Sequence, residues 1–169
     1  MTSSNIYLLE QGLSLLEQIG DGLYTNVPNG IAKAGIGGHL RHCLDFYDSF
    51  LLGVRAGTPG KIDYDRRERN PLIEIDRLIA KTKIESTIAT LGKLKLNGQQ
   101  ALLVKLEGEQ AQSESAWSDS SITRELQFLL SHTIHHYALI AMLLRLQGFD
   151  PPADFGVAPS TLKYWRANA

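Results

Sequence analysis

All five histidines of this 169-residue chain fall into two short clusters. His39 and His42 lie in the sequence HLRH, and His132, His135 and His136 lie in SHTIHH. Because His132 and His136 are four residues apart, an α-helix would project both side chains from one face, about one turn apart. Two such imidazoles can bind one metal ion, and catalytic zinc sites commonly use three protein ligands and leave one position open. The spacing therefore predicts a metal site that a histidine of the first cluster completes.

The residues around His132 and His136 indicate that the pair faces the interior of its helix bundle. Within about 100° of arc, the same helix face carries four aliphatic residues, Leu129, Leu139, Ile140 and Leu143. The alternative is that both histidines are hydrogen-bonded core residues without a metal. Glu125, two turns earlier on nearly the same line, could orient a metal-bound histidine or serve only as a first-turn carboxylate.

The sequence leaves the third ligand open between two histidines. His39 lies near the edge of the apolar stripe of its helix, whereas His42 lies about 60° further out, so periodicity alone favours His39. Binding of one ion by both residues would give a closed four-ligand site, as in structural zinc sites. Cys43, the single cysteine, is interpreted as a small buried hydrophobic residue rather than a ligand or nucleophile.

Four helices are predicted to carry these residues. Apolar residues three or four apart predict helices over roughly 4–19, 33–55, 71–91 and 121–147. Between the last two helices, Leu102–Leu106 and Gln110–Trp117 predict a small β-hairpin, with an irregular loop as the alternative. Segments 21–30 and 57–70 are predicted to be loops, and the C-terminal tail an extended arm. The expected fold is all-α, a single domain over 1–169 that forms an up-and-down four-helix bundle with the hairpin inserted between its third and fourth helices.

The charge and hydropathy of the chain limit the classes of partner that we expect. The net charge is −1, and there is no basic cluster, which argues against nucleic acid as a partner. No apolar run reaches the length of about 18 residues that a membrane span needs, and the N-terminus lacks the features of a secretory signal. We therefore expect a cytoplasmic protein with neither a membrane nor a nucleic-acid partner.

Two segments together resemble a known family. The sequence GIGGHLRHCLDFYDSFL, from Gly35-Ile36 through His42 to Asp45 and beyond, resembles the second helix of the DinB/YfiT-like superfamily of metal-binding four-helix bundles. The sequence HTIHHYALIAMLLRLQG resembles the fourth helix of that family, with its His-x-x-x-His and its later Leu-Arg-x-x-Gly. The resemblance covers both histidine-bearing helices and the helix order, and so essentially the whole chain.

The resemblance implies His42, His132 and His136 as the metal ligands, with His39 ranked second to His42. It implies zinc or nickel as the ion and a homodimer as the assembly. Characterised family members include thiol-dependent transferases and related metal-assisted enzymes, so the implied function is a metal-dependent hydrolase or thiol transferase. Its substrate would be a small molecule, with thiols among the candidates. The alternative is a non-catalytic bundle of this family that binds a small ligand or a structural metal. The chain departs from the family at 137–139, where Tyr-Ala-Leu replaces a common Arg-Gly-Gln.

The segment from Asp63 to Arg69, DYDRRER, has two interpretations. Its arginines could bind a substrate carboxylate bidentately, or the segment could be a solvated loop of salt bridges over the bundle end. Tyr64 and Tyr137 are candidates for lining a pocket or for the core, and Trp117 and Trp165 are interpreted as packing residues.

Overall fold

The structure is a computed structural model that describes residues 1–28, 33–57, 59–94, 100–105 and 117–168. Within these ranges the chain is mainly helical and contains a small sheet. The helices are α1 (Thr2–Gln18), α2 (Asp21–Thr25), α3 (Ile36–Arg55), α4 (Leu72–Ile75), α5 (Arg77–Lys93), α6 (Ile122–Leu146) and α7 (Pro159–Ala167). The strands are β1 (Gly60–Ile62), β2 (Ala101–Lys105) and β3 (Trp117–Ser121).

The four long helices contribute most of the core. Helix α1 packs against α5 and α6, and α3 packs against the same two helices. Each contributes fully buried side chains from its apolar stripe, among them Leu16, Phe50, Ile84 and Ile140. Removal of this apolar surface from water is the main favourable term in folding, so these stripes determine which face of α3 and of α6 points inward.

The sequence predicted four helices, and this number was wrong, because the described ranges contain seven. Helix α2 lies in a segment predicted to be a loop, and α7 lies in the tail predicted to be extended. Both are short, with five and nine residues. A helix of that length contains too few turns for apolar periodicity to reveal it in the sequence. No residue of α7 is buried, and Trp165 is half exposed, so the interpretation of Trp165 as a packing residue was also wrong.

The predicted third helix is two helices, α4 and α5, separated by Asp76. This residue is extended, and its side chain accepts hydrogen bonds from the backbone N–H groups of Leu78 (2.8 Å) and Ile79 (3.1 Å). An aspartate that satisfies two of the first free N–H groups is a favourable N-cap. The cap begins a new helix inside a continuous apolar pattern.

The first strand of the predicted hairpin is present as β2, and it pairs with two other strands. Strand β2 pairs antiparallel with β3, with Leu103 opposite Asp119, and parallel with β1, with Leu103 opposite Lys61. Strand β3 begins at Trp117, where the predicted second strand ends, and residues 106–116 of the predicted hairpin lie outside the described ranges. Strand β1 was missed because three residues are too few to show an alternating pattern.

The strand β1 lies against α3 at Gly53. A Cβ atom at Gly53 would lie 2.5 Å from the carbonyl oxygen of Lys61 and 2.5 Å from Cγ1 of Ile62. Only glycine allows this approach, which directs the segment after β1 back along α3 toward the histidines.

Helix α6 begins as predicted. Ser121 is its N-cap and accepts a hydrogen bond from the backbone N–H of Arg124 (3.3 Å). The helix ends before Gly148, whose φ of 80° lies in the left-handed region that favours glycine. Among the described residues, no helix has the length and apolar character needed to cross a membrane.

Candidate metal centre

Three histidines from two helices converge where α3 packs against α6. His42 of α3 and His132 and His136 of α6 each offer one ligand nitrogen, and these atoms all lie within 4.8 Å of one another. Zinc–nitrogen bonds are about 2.0–2.1 Å long, so two nitrogens on one ion are at most about 4.2 Å apart. The three nitrogens would move slightly closer together to share one ion.

One imidazole nitrogen of this cluster lacks a hydrogen-bond partner among the described residues. Nε2 of His132 is buried, and it has no hydrogen-bond partner among the described residues. Buried polar atoms normally have a partner, and an ion bound at this nitrogen would supply one. The donor set therefore fits zinc or nickel, which both accept imidazole nitrogen.

The three imidazoles are neutral at physiological pH. Burial, followed by the neighbouring His132 and Arg67, lowers the pKa of His42 to about 4. Burial and His135 lower the pKa of His132 to about 4, and burial with the surrounding histidines lowers the pKa of His136 to about 3. A metal ion binds the neutral form, so protons compete little for these nitrogens near pH 7.

The two remaining histidines lie outside the group of three. Nδ1 of His39 is 3.0 Å from Nδ1 of His136, so one of these rings donates a hydrogen bond to the other. His135 is exposed, and its ring centroid is 5.1 Å from that of His136. Helical periodicity favoured His39 over His42, whereas the packing of α3 on α6 groups His42 with the α6 pair.

A stack of aromatic rings supports His132. The ring centroid of Phe46 lies 4.3 Å from that of His132, and the ring centroid of Tyr64 lies 5.0 Å from that of Phe46. The hydroxyl of Tyr64 donates a hydrogen bond of 2.8 Å to the carboxylate of Glu125. Phe46 on α3, Tyr64 after β1 and Glu125 on α6 thus form one packed group that holds the side chain of His132 in place.

Glu125 is connected to this stack through Tyr64, and none of its hydrogen bonds within the described ranges goes to a histidine. The buried carboxylate accepts hydrogen bonds from Tyr64, from the hydroxyl of Ser120 and from Arg124. These donors account for the burial of a charged group, which is costly without partners. Among the described residues the hydrogen-bond partners of Glu125 are these three, so an orienting effect on His132 would act through Tyr64 and Phe46.

The segment from Asp63 to Arg69 contributes Arg67 to the centre. Nη1 of Arg67 is 3.2 Å from Nδ1 of His42, and the guanidinium lies 4.6 Å from the centroid of the Phe46 ring. Asp63 stabilises the preceding turn by accepting two backbone N–H groups at 3.0 Å and pairs with Lys105 at 3.3 Å. The segment is therefore part salt-bridged turn and part contact to the histidines.

Sequence reasoning overlooked Phe46 and did not single out Arg67. Phe46 is four residues after His42, so helical spacing could have indicated that the two share a face. No comparable signal exists for Arg67, because its contact depends on how β1 is placed on α3. Cys43 and Tyr137 are core residues, 2% and 1% exposed, and Tyr137 packs against Phe155.

Among known proteins, a curated protein matches part of this chain. No protein-family model matches the sequence, and no solved structure matches it. The curated protein "FK506-binding protein 5" of Rhizopus delemar is 37% identical over 106 residues, which cover 61% of this chain and 27% of that protein. The match thus spans little more than a quarter of that relative's length.

Proposed function

We propose that this protein is a metal-dependent enzyme, a hydrolase or a thiol transferase, in which His42, His132 and His136 hold one zinc or nickel ion. The observation that carries this proposal is the convergence of three neutral imidazole nitrogens within 4.8 Å. The buried and unpartnered Nε2 of His132 supports it. The substrate would be a small molecule, and a thiol is the first candidate.

The chemistry follows from the neutral ligand set. A divalent ion on three imidazoles keeps its full charge and can lower the pKa of bound water toward about 7 or bind a thiolate. The protein residues orient that site: His39 hydrogen-bonds to His136, and Phe46 packs on His132. The apolar ring of Phe46 beside His132 lowers the local polarity, which strengthens electrostatic interactions there.

We also propose that the four long helices form an up-and-down bundle of the DinB/YfiT-like type. The support is that α1 and α3 each pack against both α5 and α6 and that the histidines lie on α3 and α6. A homodimer in the cytoplasm, without nucleic acid, is the expected state.

The first experiment is to measure the metal content of tag-free protein. We expect about one equivalent of zinc or nickel in the wild type and in His135→Ala, and loss of that equivalent in His132→Ala and His42→Ala. His135→Ala is the matched control because His135 lies on the same helix but is exposed. Equal metal content in His132→Ala and wild type, or no metal after incubation with both ions, contradicts the proposal.

A second candidate is a non-catalytic bundle with a closed four-histidine metal site or a small-ligand site. The observation in its favour is the 3.0 Å contact of His39 with His136, which brings a fourth imidazole near the ion. The name of the Rhizopus relative says that it binds FK506. A closed site predicts that azide and small thiols leave the spectrum of cobalt-loaded protein unchanged, whereas an open enzyme site predicts a change.

A further inference from the structure

Arg67 donates a hydrogen bond to the ring of His42, one of the three candidate ligands. Its Nη1 lies 3.2 Å from Nδ1 of His42. Because a guanidinium has donors and no acceptor, Nδ1 of His42 is the acceptor and carries no proton. A neutral imidazole keeps one proton, which is then on Nε2. The contact with Arg67 thus occupies the single nitrogen lone pair that the neutral ring of His42 has to offer.

This contact and a metal ion on His42 exclude one another. An ion at Nδ1 would need the lone pair to which Arg67 donates. An ion at Nε2 would require the proton of the neutral ring to move to Nδ1, and two N–H groups would then face each other across 3.2 Å. A metal-bound histidine normally donates its other N–H to an acceptor, and a guanidinium has none to offer. The conflict therefore holds for either ring nitrogen.

The contact of His136 with His39 has no such conflict. Nδ1 of His136 lies 3.0 Å from Nδ1 of His39. A neutral histidine, unlike an arginine, can accept a hydrogen bond at a ring nitrogen. His136 can therefore bind an ion through Nε2 while its Nδ1–H donates to His39. Of these two contacts, only that of Arg67 opposes metal binding.

The charge of Arg67 adds to the conflict. The guanidinium lies 4.6 Å from the centroid of the Phe46 ring, and that centroid is 4.3 Å from the ring centroid of His132. Since arginine is always protonated in proteins, a permanent cation lies among the rings that would surround a divalent ion. Like charges repel at such short range, so movement of Arg67 away from His42 would favour the ion twice over.

A cavity next to Arg67 gives the guanidinium another place to go. It has a volume of about 740 Å³, and its lining includes Arg67 and four carboxylates, those of Asp45, Asp48, Asp63 and Glu68. None of the ion pairs within the described ranges includes Arg67. Its buried Nε has no hydrogen-bond partner in those ranges either. A turn toward the carboxylates would therefore break no ion pair and would give Nε an acceptor.

We propose that Arg67 competes with a metal ion for His42, and that it turns into the adjoining cavity when the ion binds. The proposal rests on the proposed function for the metal centre and goes beyond it by naming a residue that opposes metal binding. A residue that merely supported the ligands would strengthen binding, so the sign of its effect distinguishes the two roles.

The first test compares the zinc affinity of tag-free variants by competition with a chromophoric chelator. Arg67→Met, which removes the donor and the charge, is expected to bind zinc about tenfold or more tightly than wild type, because a hydrogen bond from a charged donor no longer competes. Arg66→Met, the matched control, removes a charge at the adjacent exposed position and is expected to bind as wild type does. Equal or weaker zinc binding in Arg67→Met overturns the proposal.

The second test uses the wild-type chain, so it does not depend on the folding of an Arg67 variant. NMR of isotope-labelled histidine rings shows which nitrogen of His42 carries the proton, and its signals are identified by their absence in His42→Ala. In chelator-treated protein we expect the proton on Nε2, with Nδ1 free to accept from Arg67. Zinc should abolish this pattern. A proton on Nδ1 in the chelator-treated protein overturns the proposal.

The zinc titrations also separate this proposal from the proposed function. Equally tight zinc binding in wild type and Arg67→Met would support the metal centre and refute the competition. Zinc binding by Arg67→Met but not by wild type would refute the metal enzyme and support the competition. No zinc binding in either protein would refute both.

Discussion

At the scale of single residues, two histidines three positions apart have different surroundings. His42 lies within reach of His132 and His136, and Nδ1 of His39 lies 3.0 Å from Nδ1 of His136. Hydrogen bonds to the second nitrogen of a metal-bound imidazole fix its orientation and its tautomer. We therefore expect His42 to bind the ion and His39 to orient His136.

The variant His39→Ala is expected to keep one equivalent of zinc but to bind it about tenfold more weakly, the usual effect of losing such a partner. The measurement is a competition titration with a chromophoric chelator, with His135→Ala as the control. Complete loss of zinc in His39→Ala would instead identify His39 as a ligand, and unchanged affinity would show that its contact with His136 has no role.

Cys43 illustrates how burial determines reactivity at one position. It follows His42 directly but is 2% exposed, and burial raises the pKa of its thiol. We expect the native protein to resist a disulfide reagent such as DTNB and the denatured protein to react fully. Rapid reaction of the native protein would contradict the buried placement of Cys43.

At the scale of elements, the contact between β1 and α3 brings the segment with Tyr64 and Arg67 to the histidines. That contact depends on the absence of a side chain at Gly53, where a Cβ would meet both Lys61 and Ile62. Close packing of this kind resists even one added methyl group. The contact between β1 and α3 thus links the stability of the fold to the geometry of the candidate site.

Gly53→Ala is expected to lower the free energy of unfolding by about 1–3 kcal/mol, the usual cost of an overpacked interior. Gly92→Ala is the matched control in α5, because a Cβ there meets nothing within 4 Å. It should raise stability by about 0.5–1 kcal/mol, since alanine favours helix. Urea denaturation of both variants provides the test, and equal stabilities would refute this account of the β1–α3 contact.

At the scale of the whole molecule, the candidate ligands join helices that are far apart in sequence. His42 lies in α3, and His132 and His136 lie in α6, so an ion bound by all three would connect the two helices. A ligand that binds only the folded state stabilises it in proportion to the logarithm of its free concentration. Metal binding is therefore expected to affect the stability of the whole fold.

Free zinc at about 100 times its dissociation constant is expected to raise the free energy of unfolding by about 2.7 kcal/mol. The double variant His42→Ala, His132→Ala should show no such increase, because two ligands are missing. Denaturant midpoints measured with zinc and with chelator test this expectation. A zinc effect of equal size in the double variant would indicate binding elsewhere.

The sequence by itself determined the histidine-bearing helices, the i, i+4 pair of His132 and His136 and the first strand of the predicted hairpin. Each of these depends on local backbone geometry, which short spacings encode directly. The metal, the substrate and the oligomeric state stay predictions.

Only the tertiary structure decided the features that depend on how distant segments pack. The grouping of His42 with α6 follows from the rotation of α3 in the core, a property that the periodicity of α3 alone does not give. The approach of Arg67 follows from the short parallel pairing of β1 with β2 and from the close contact at Gly53. His42 and His132 lie about 90 positions apart, and Arg67 and His42 lie 25 apart, so no local pattern records these contacts.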